Sequence, residues 1–493
     1  MSPTLKSRYL SPHVAAGLIV AVVLSVASFS AAATVQPPSA PSAPPIIQPL
    51  GPIKTHPALL QVAKAACARQ PALDQAACTG AAAAYVWGYP LVVMSATRDR
   101  IACLTGINAL FNAKKLAGPT STSVVAPNDD TLYSLAWLDL RSGPEILSVP
   151  AVLGRYYNFQ LLDMYTNTFA DIGVLTDHGR SGRYAIVGPG WHGVVPSGVT
   201  QIHAPTADVW LLGRTEVNGA SDLAAVGAIQ QRYVLTALTG AGSGTTAGPS
   251  TFHCPAPTTS FLDQLTAAMA ADSPPNSDAA TLRVMAAAGI GPGASPSTTT
   301  APAVQQADAA GLEIGSGLVD AAASTANKSL PGGWTRGTVA GTFGTDYLTR
   351  ALVAKYGLAE QVPSQAIYFS AAQDADGSPL SGSHEYEVRF SKGELPPKGP
   401  DGFWSITMYN SSDFLVANPI DRYSVGSHLT RLVRGPGGSV TIILSASKPS
   451  SLLLNWLPAP AGPFRISLRV YAPATTVRDG RWAPPPIEPL GPS

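Results

Sequence analysis

Apolar and polar residues alternate most regularly near the C-terminal end of the chain. Residues 464–471 carry an apolar side chain at every second position, beginning with Phe464. Because successive side chains of a strand point to opposite faces of a sheet, this alternation predicts a strand with one buried face. Residues 386–390 alternate in the same way, and the segments 403–409 and 440–444 predict two further strands.

A second group of short apolar runs lies between residues 121 and 221. Turn residues separate these runs, which fall at 132–140, 155–164, 182–190 and 208–214. Strands at this spacing predict a β-sandwich or a barrel. Helical spacing dominates residues 57–120 and returns over 222–362, where two loops rich in Gly, Ser, Thr and Pro interrupt it.

The first 33 residues have the features of an export signal. Lys6 and Arg8 give a positive start, residues 14–29 are apolar or small, and Ala31 to Ala33 offer a small-residue cleavage site. An uncleaved anchor is the alternative, although the apolar run is shorter than the roughly 20 residues of a spanning helix. We therefore expect a periplasmic or secreted protein with no membrane span after cleavage.

These patterns together predict a mainly β fold with a helical insert. The predicted parts are a signal peptide (1–33), a Pro-rich leader (34–56), a helical N-terminal cap (57–120), a first β-sandwich (121–221), a helical insert (222–362) and a second β-sandwich (363–493).

Composition narrows the classes of partner. Charged residues make up only 12% of the chain, but hydrophobic residues reach 45%, so the chain can bury a core and is not a disordered polymer. The formal net charge of +1 provides no basic field for a nucleic-acid backbone. We expect small or neutral partners and no nucleic acid.

In an exported protein, cysteines are candidates for disulfides. Cys67 and Cys78 lie close together in helical sequence that Pro71 interrupts, which predicts a disulfide between two short helices. Cys103 and Cys254 can pair only if the fold brings them together, and this is left open.

Two polar clusters beside predicted strands are candidates for catalysis. Residues 127–134 include Asp130, and residues 163–168 include Asp163. Their carboxylates suit Ca²⁺ binding or general acid–base chemistry, whereas the alternative is an Asx turn that bonds its own backbone. If the two strands are adjacent, the carboxylates face one another and one pKa is raised.

A third cluster combines aromatic rings with amide and guanidinium groups in the last quarter of the chain. Its members are Trp404, Tyr409, Arg422, Tyr423, Asn455 and Trp456. Such groups hold sugar rings by stacking and directed hydrogen bonds, but they also occur as core or corner residues of sandwiches. The sequence has no P-loop, H-E-x-x-H or G-x-S-x-G motif, which argues against the standard nucleotide, metalloprotease and α/β-hydrolase sites.

Several motifs resemble a pair of bacterial exported domains. The motifs similar to domain of unknown function 1254 are PNDDTLYS (127–134), GRYYNFQLLDMYTNTFADIG (154–173), IVGPGW (186–191) and LLGRT (211–215). The motifs similar to its usual C-terminal companion, domain of unknown function 1214, are FGTDYLTRA (343–351), DADGSPLSG (374–382), FWSITMYN (403–410), NWLPAP (455–460) and LRVYAP (468–473). The resemblance implies an Ig-like β-sandwich, a helical insert and a lectin-like β-sandwich of jelly-roll type.

The resemblance implies shared positions rather than proven catalysts. These positions are the aromatic cluster together with Asn128, Asp130, Thr131, Tyr133, Asp163, Tyr165 and Asn167. The chain departs from the pattern at Asp129, where a basic or amide residue is usual, and at 435–439, where an Asp-Gly-Ser turn is usual. The first departure makes the loop more acidic and favours a cation over an anionic ligand.

The preferred functional hypothesis is binding. A groove between the β regions would hold a cell-envelope or environmental polysaccharide, or another small neutral ligand, through the aromatic cluster and through Asn128, Thr131 and Asn167. Neither a cofactor nor a metal is required, although Ca²⁺ is left open. Sparse charge on the predicted strands makes edge pairing plausible, so a homo-oligomer is left open as well.

Catalysis is the alternative. In a hydrolase or lyase, Asp130 and Asp163 would form an acid–base pair, and Tyr133 or Tyr165 would stabilise developing charge. An envelope scaffold without catalysis is a third hypothesis.

Overall fold

A computed structural model describes residues 56–122, 126–238, 248, 250–256, 259–337, 341–429, 432–449 and 455–492. The predicted signal peptide and all but the last residue of the Pro-rich leader lie outside the described residues. The fold is mixed α/β, with about 27% strand and 30% helix. The expectation of a mainly β fold is therefore corrected, because helices form a whole layer of the protein.

The helices concentrate before the first β region and between the two β regions. In the described residues they are α1 (His56–Cys67), α2 (Gln75–Thr105), α3 (Leu223–Gln230), α4 (Phe261–Ala271), α5 (Ala279–Ala287), α6 (Pro296–Thr299), α7 (Pro302–Ala326), α8 (Tyr347–Tyr356) and α9 (Thr475–Arg478).

Helix α2 is the centre of the helical layer. The carboxylate of Asp74 accepts the backbone N–H groups of Ala76 and Ala77 at its start, and Gly106 ends it with a φ of 88°. The helix is long and apolar enough to cross a membrane, but 89% of its most apolar stretch is buried inside the protein. It therefore packs as a core helix.

Two disulfides fasten this layer. Cys67 at the end of α1 is bonded to Cys78 in the first turn of α2, with a Cα–Cα distance of 6.0 Å. Cys103 near the end of α2 is bonded to Cys254, with a Cα–Cα distance of 5.4 Å. The second pairing was left open by the sequence, because it depends on a contact between segments that are far apart in the chain.

The strands occur in two blocks. They are β1 (Phe111–Asn112), β2 (Thr131–Asp139), β3 (Glu145–Val149), β4 (Tyr157–Leu162), β5 (Thr168–Gly173), β6 (Gly182–Val187), β7 (Thr200–His203), β8 (Asp208–Glu216), β9 (Val234–Ala237), β10 (Lys328–Ser329), β11 (Trp334–Arg336), β12 (Ala366–Ala371), β13 (His384–Phe390), β14 (Trp404–Asn410), β15 (Ser424–Gly426), β16 (Val440–Ser445), β17 (Asn455–Pro458), β18 (Phe464–Tyr471) and β19 (Ile487–Pro492).

Across the described residues these strands form four open sheets. We number them sheet 1 (β1-β2-β8-β4-β5), sheet 2 (β7-β6-β3-β9), sheet 3 (β10-β11-β12-β18-β14-β15) and sheet 4 (β17-β16-β13-β19). The pairs β6–β7 and β16–β17 are parallel, and the other pairs of the four sheets are antiparallel. Strand β9 joins sheet 2 although its residues lie in the stretch expected to be a helical insert.

Sheet 1 is the middle layer of the first β region. One face packs on sheet 2 through residues such as Phe159, Leu211 and Leu147. The opposite face packs on the helices through Trp137 and Trp210, whose rings stack at 5.4 Å. Both faces of this sheet are therefore buried over much of its length, which explains its near-continuous apolar strands.

Sheets 3 and 4 pack face to face in the second β region. Their shared core contains the apolar residues that alternate along β13 and β18, including Val388, Phe464 and Leu468. The predicted period-two pattern thus marks the face of each strand that points into this core.

Removing the two disulfides separately should destabilise the protein to different degrees. The bonded cysteines are separated by 11 residues in one pair and by 151 in the other. Because the entropy of the unfolded chain falls more when a longer loop is closed, we expect a loss of about 3 kcal/mol for Cys67→Ala/Cys78→Ala and about 5 kcal/mol for Cys103→Ala/Cys254→Ala. Urea unfolding of both double variants measures this; the reverse order would contradict it.

The stability of the protein should also depend on the charge of Glu145, which is buried at the start of β3. Burial raises the pKa of Glu145 to about 7. Because the folded state then binds this proton more tightly than the unfolded chain, the contribution of Glu145 to stability falls as the pH rises from about 4.5 to 7. We expect Glu145→Gln to exceed the wild type in free energy of unfolding at pH 8 but not at pH 4.5.

The exposed residue Glu313 on α7 supplies the matched control for this experiment. Glu313→Gln should follow the wild type at both pH values. An equal effect of Glu145→Gln at pH 4.5 and pH 8 would show that ionisation of Glu145 does not contribute.

Candidate functional site

One end of sheet 1 is polar on the face that elsewhere packs on the helices. Tyr133 of β2, Arg214 of β8 and Asn158 of β4 are direct cross-strand neighbours, so their side chains share this face. The guanidinium of Arg214 lies 5.7 Å from the centroid of the Tyr133 ring and donates to Gln160 at 2.9 Å. This polar end needs polar partners from another part of the chain.

Sheet 3 provides them on the face that points away from its apolar core. Tyr368 of β12, Arg469 of β18 and Ser405 of β14 are direct cross-strand neighbours. The guanidinium of Arg469 donates to Thr407 at 2.9 Å and to the hydroxyl of Tyr409 at 2.8 Å. The same strands therefore carry an apolar face towards sheet 4 and a polar face towards the first β region.

The loop before β2 joins the two regions. The carboxylate of Asp130 is fully buried and accepts hydrogen bonds from the hydroxyls of Ser405 and Ser424. Nε2 of His428 lies 3.5 Å from the same carboxylate. Asn128 donates to the hydroxyl of Tyr471 at 2.7 Å. Asp130 and Asn128, which were predicted as catalytic and ligand-binding residues, thus form a hydrogen-bonded contact between the two regions.

Other parts of this loop complete the junction. The backbone carbonyl of Pro127 accepts the Tyr409 hydroxyl at 2.9 Å, and Thr131 accepts a hydrogen bond from Asn128 at 3.2 Å. Burial and the neighbouring Asp130 raise the pKa of Asp129 well above its ordinary value. Burial therefore favours the uncharged form of Asp129, which opposes the expectation of a more acidic loop.

Where the two polar faces meet, Tyr368 is in electrostatic range of Arg214, Glu360 and Arg469, and Arg214 is in range of Tyr133. We call this group of five residues the crevice. Protein surrounds Glu360 and Tyr368, yet both keep part of their surface accessible, as residues at the wall of an internal space do. Burial raises the pKa of Glu360 to about 7, although the charge of Arg469 opposes this. Burial likewise raises the pKa of Tyr368 to about 12, against the charge of Arg214.

An open groove of about 460 Å³ lies beside the crevice, between β5 and the segment that leads into β12. Its lining includes the polar residues Thr168, Asp171, Ser364 and Gln365 and the apolar residues Phe169 and Leu175. A volume of this size is typical of small-molecule sites.

Two lining residues connect the groove to the crevice. Asp171 accepts a hydrogen bond at 2.9 Å from Asn158, the cross-strand neighbour of Arg214. Gln365 accepts a hydrogen bond at 3.0 Å from Tyr156, whose ring lies 5.3 Å from that of Tyr471. Burial raises the pKa of Asp171 to about 6, although Asn158 and Arg214 favour its ionised form.

The structure separates Asp130 from Asp163. In sheet 1, β8 lies between β2 and β4. Thr131 of β2 is paired with Glu216 of β8, whereas Leu162 of β4 is paired with Trp210 of β8. Asp130 precedes one end of the sheet, and Asp163 follows the other, about 25 Å away along the strands. The two carboxylates do not form an acid–base pair.

Asp163 has the local role that the alternative interpretation predicted. Its carboxylate accepts the backbone N–H groups of Tyr165 and Asn167, both at 2.9 Å, as in an Asx turn. Burial raises its pKa to about 6, against these hydrogen bonds and the charge of Arg350. The hydroxyl of Tyr165 donates to the carbonyl of Asp272 in the helical layer at 2.8 Å.

The aromatic cluster is not brought together as a sugar platform. Trp404 and Tyr409 lie on opposite faces of β14, with Trp404 in the core shared by sheets 3 and 4. Trp456 is only 8% exposed and donates to the carbonyl of Ser445 at 3.0 Å. Asn455 bonds the backbone of Val433 in both directions.

The remaining two members of this cluster also bond nearby groups. Arg422 donates to the carbonyl of Trp456 at 2.9 Å, and the hydroxyl of Tyr423 donates to Asp421 at 3.1 Å. Within the described residues, no group of three or more His, Cys, Asp or Glu side chains is arranged to hold a metal ion.

Apart from Tyr133, sequence reasoning missed the residues that form the crevice and most of those that line the groove. Arg214 and Arg469 lie inside strands that the pattern had correctly located, in the motifs LLGRT and LRVYAP. An arginine in an otherwise apolar strand is a signal for a buried polar contact, because charged residues are rarely buried without a partner. Nothing in the local sequence of Tyr368 or Gln365 indicates their role.

Comparison with known families matches both β regions. The family described as Protein of unknown function (DUF1254) matches residues 107–237, which contain sheets 1 and 2. The family described as Protein of unknown function (DUF1214) matches residues 365–475, which contain most of sheet 3. No curated protein is significantly similar to the chain.

Solved structures include a relative with the same fold. The VPA0106 protein from Vibrio parahaemolyticus is 23% identical, with a TM-score of 0.66 over 84% of this chain and 99% of that chain. A putative uncharacterized protein from Burkholderia cenocepacia is 13% identical over 87% of this chain and 93% of that chain, and its TM-score is 0.41. The matched regions and their order identify this chain as a DUF1254/DUF1214 protein, with DUF1254 at residues 107–237 and DUF1214 at residues 365–475.

Proposed function

We propose that the protein is an exported binding protein that holds a saccharide in the groove between its DUF1254 and DUF1214 regions. The observation that carries this proposal is the groove itself, which is open to solvent and is linked to the polar crevice by the hydrogen bond from Asn158 to Asp171. Its position agrees with a binding groove between the two β regions, although the residues that line it differ from those that the sequence suggested.

The chemistry of the groove suits a ring with several hydroxyl groups. Phe169 and Leu175 provide apolar surface for the C–H face of a sugar, and Leu175 is 39% exposed. Asp171 and Gln365 provide fixed polar groups, because each is held by a hydrogen bond to a buried side chain. Fixed groups of this kind give orientation and specificity in ligand sites.

The hydrolase or lyase alternative loses its support. It depended on Asp130 and Asp163 as neighbours, and they lie at opposite ends of sheet 1. Asp130 is fully enclosed by hydroxyl donors, where no polymer can reach it. An envelope scaffold remains the second candidate, because the hydrogen-bonded contact at Asp130 explains how the two regions pack together without any ligand.

Several finer assignments belong to this proposal. Export to the periplasm or the medium is supported by the signal-like sequence at residues 1–33. An Ig-like sandwich for sheets 1 and 2 and a lectin-like sandwich for sheets 3 and 4 are supported by the face-to-face packing of each pair. A polysaccharide as the natural ligand is supported by the openness of the groove, which leaves room for a chain to continue.

Asp130 and Asp163 should act on stability and not on turnover. We expect Asp130→Ala to lower the free energy of unfolding by about 3–5 kcal/mol, because it leaves buried donors at the junction without their acceptor. We expect Asp163→Asn to cost about 1–3 kcal/mol through the loss of its turn. Urea unfolding measures both. A loss of polysaccharide hydrolysis in both variants, with stability unchanged, would revive the acid–base pair.

Substitutions of residues that line the groove should weaken saccharide binding. We expect Phe169→Ala and Asp171→Asn each to raise the dissociation constant at least about fivefold, which corresponds to roughly 1 kcal/mol of contact energy. A glycan array with the purified protein identifies the saccharide, and titration calorimetry measures the change. Val194→Ala is the control, because Val194 is 87% exposed and does not line the groove. Unchanged affinity in both groove variants would contradict the site.

A further inference from the structure

Two buried arginines in the crevice have no carboxylate partner among the residues that the structure describes. Arg214 is 7% exposed and Arg469 is 5% exposed. The two other buried arginines in the described part of the chain both form ion pairs, Arg98 with Asp208 at 2.5 Å and Arg350 with Asp278 at 3.9 Å. Neither Arg214 nor Arg469 forms such a pair with a described residue, so this crevice is unusual within its own protein.

The contacts of the two guanidinium groups are all to uncharged acceptors. Arg214 donates to the amide oxygen of Gln160 and to the carbonyl of Ala359, both at 2.9 Å. Arg469 donates to the hydroxyls of Thr407 and Tyr409 and to the carbonyl of Ala126. Neutral acceptors orient a guanidinium but do not cancel its charge, and an unbalanced buried charge is costly.

The acidic groups nearby do not bond the two arginines. Asp130 is in electrostatic range of Arg469, but its carboxylate is bonded to Ser405 and Ser424. Asp171 is in electrostatic range of Arg214, but its carboxylate is bonded to Asn158. Within the described residues, the hydrogen bonds of both guanidinium groups therefore go to neutral acceptors.

We propose that these two guanidinium groups form the recognition site for a carboxylate of the ligand, bound between Arg214 and Arg469 beside the hydroxyls of Tyr133 and Tyr368. The inference rests on the proposed saccharide site and deepens it, because it assigns the ligand to the acidic sugars. A guanidinium group matches the planar carboxylate with two parallel hydrogen bonds. The groove then holds the hydroxyl-bearing ring, and the crevice holds the acid group.

The cost of burying charge favours a carboxylate over a phosphate. A carboxylate brings one negative charge into the crevice, whereas a phosphate monoester brings about one and a half to two at neutral pH. A second charge would have to be buried beside Asp130, which is itself fully enclosed. Phosphorylated sugars are therefore expected to bind more weakly than uronic acids.

The test compares sugars that differ only in this group. Titration calorimetry with the purified full chain would use galacturonate and galactose, glucuronate and glucose, and short oligomers of each, with benzoate as a carboxylate that is not a sugar. We expect at least one acidic sugar to bind at least about tenfold more tightly than its neutral counterpart, because charged hydrogen bonds are stronger than neutral ones.

Variants assign the difference to the crevice. Arg214→Gln should lower the affinity for the acidic sugar to that for the neutral one. Arg214→Lys should restore part of the preference for the acidic sugar. Tyr368→Phe should weaken this preference without removing a charge. Arg465→Gln is the matched control on the same strand as Arg469, because Arg465 pairs with Asp413 at 2.9 Å. Circular dichroism confirms that each variant is folded.

The outcomes separate this inference from the proposed function. Equal binding of acidic and neutral sugars, unchanged by Arg214→Gln, overturns the carboxylate site and leaves the saccharide groove standing. Binding of benzoate and uronates but of no neutral sugar, lost in Arg214→Gln, supports the carboxylate site. The absence of binding by every carboxylate tested overturns the inference, and the absence of binding by every sugar overturns the proposed function.

Discussion

The architecture depends on a polar junction between its two β regions. The core of the first region continues into the second through Phe403 and Tyr471, and beside this apolar contact the surfaces that meet carry Arg214, Arg469 and Asp130. Buried polar groups are stable only when their hydrogen bonds are satisfied. The loop at 126–131 can therefore contact sheet 3 in only one position and one orientation. This requirement fixes how the regions face each other.

A junction of this kind also creates an opportunity for binding. Two apolar faces would close completely, whereas faces that carry bulky arginine and tyrosine side chains leave space wherever their groups are not paired with each other. The crevice lies at such a place, and the hydrogen bond from Asn158 to Asp171 links it to the open groove. Under the proposed function, the same residues hold the two regions together and orient a ligand between them.

The sequence predicted much of the secondary structure but little of the site. Alternation located β13 and β18. The sequence analysis grouped Trp404 and Tyr409 in one cluster, although residues five positions apart in a strand lie on opposite faces. The order of strands in sheet 1 was not readable, and it is this order that separates Asp130 from Asp163. Arg214 and Arg469 come together only through contacts between distant segments, which local pattern cannot show.

The most direct test of the account is a crystal structure of the protein grown with 4-iodobenzoate, whose iodine is located by anomalous scattering. The account predicts a carboxylate held by Arg214 or Arg469, with the iodinated ring pointing towards the groove at Phe169. A crevice filled by the protein's own side chains, with iodine found only at unrelated surface positions, would contradict it.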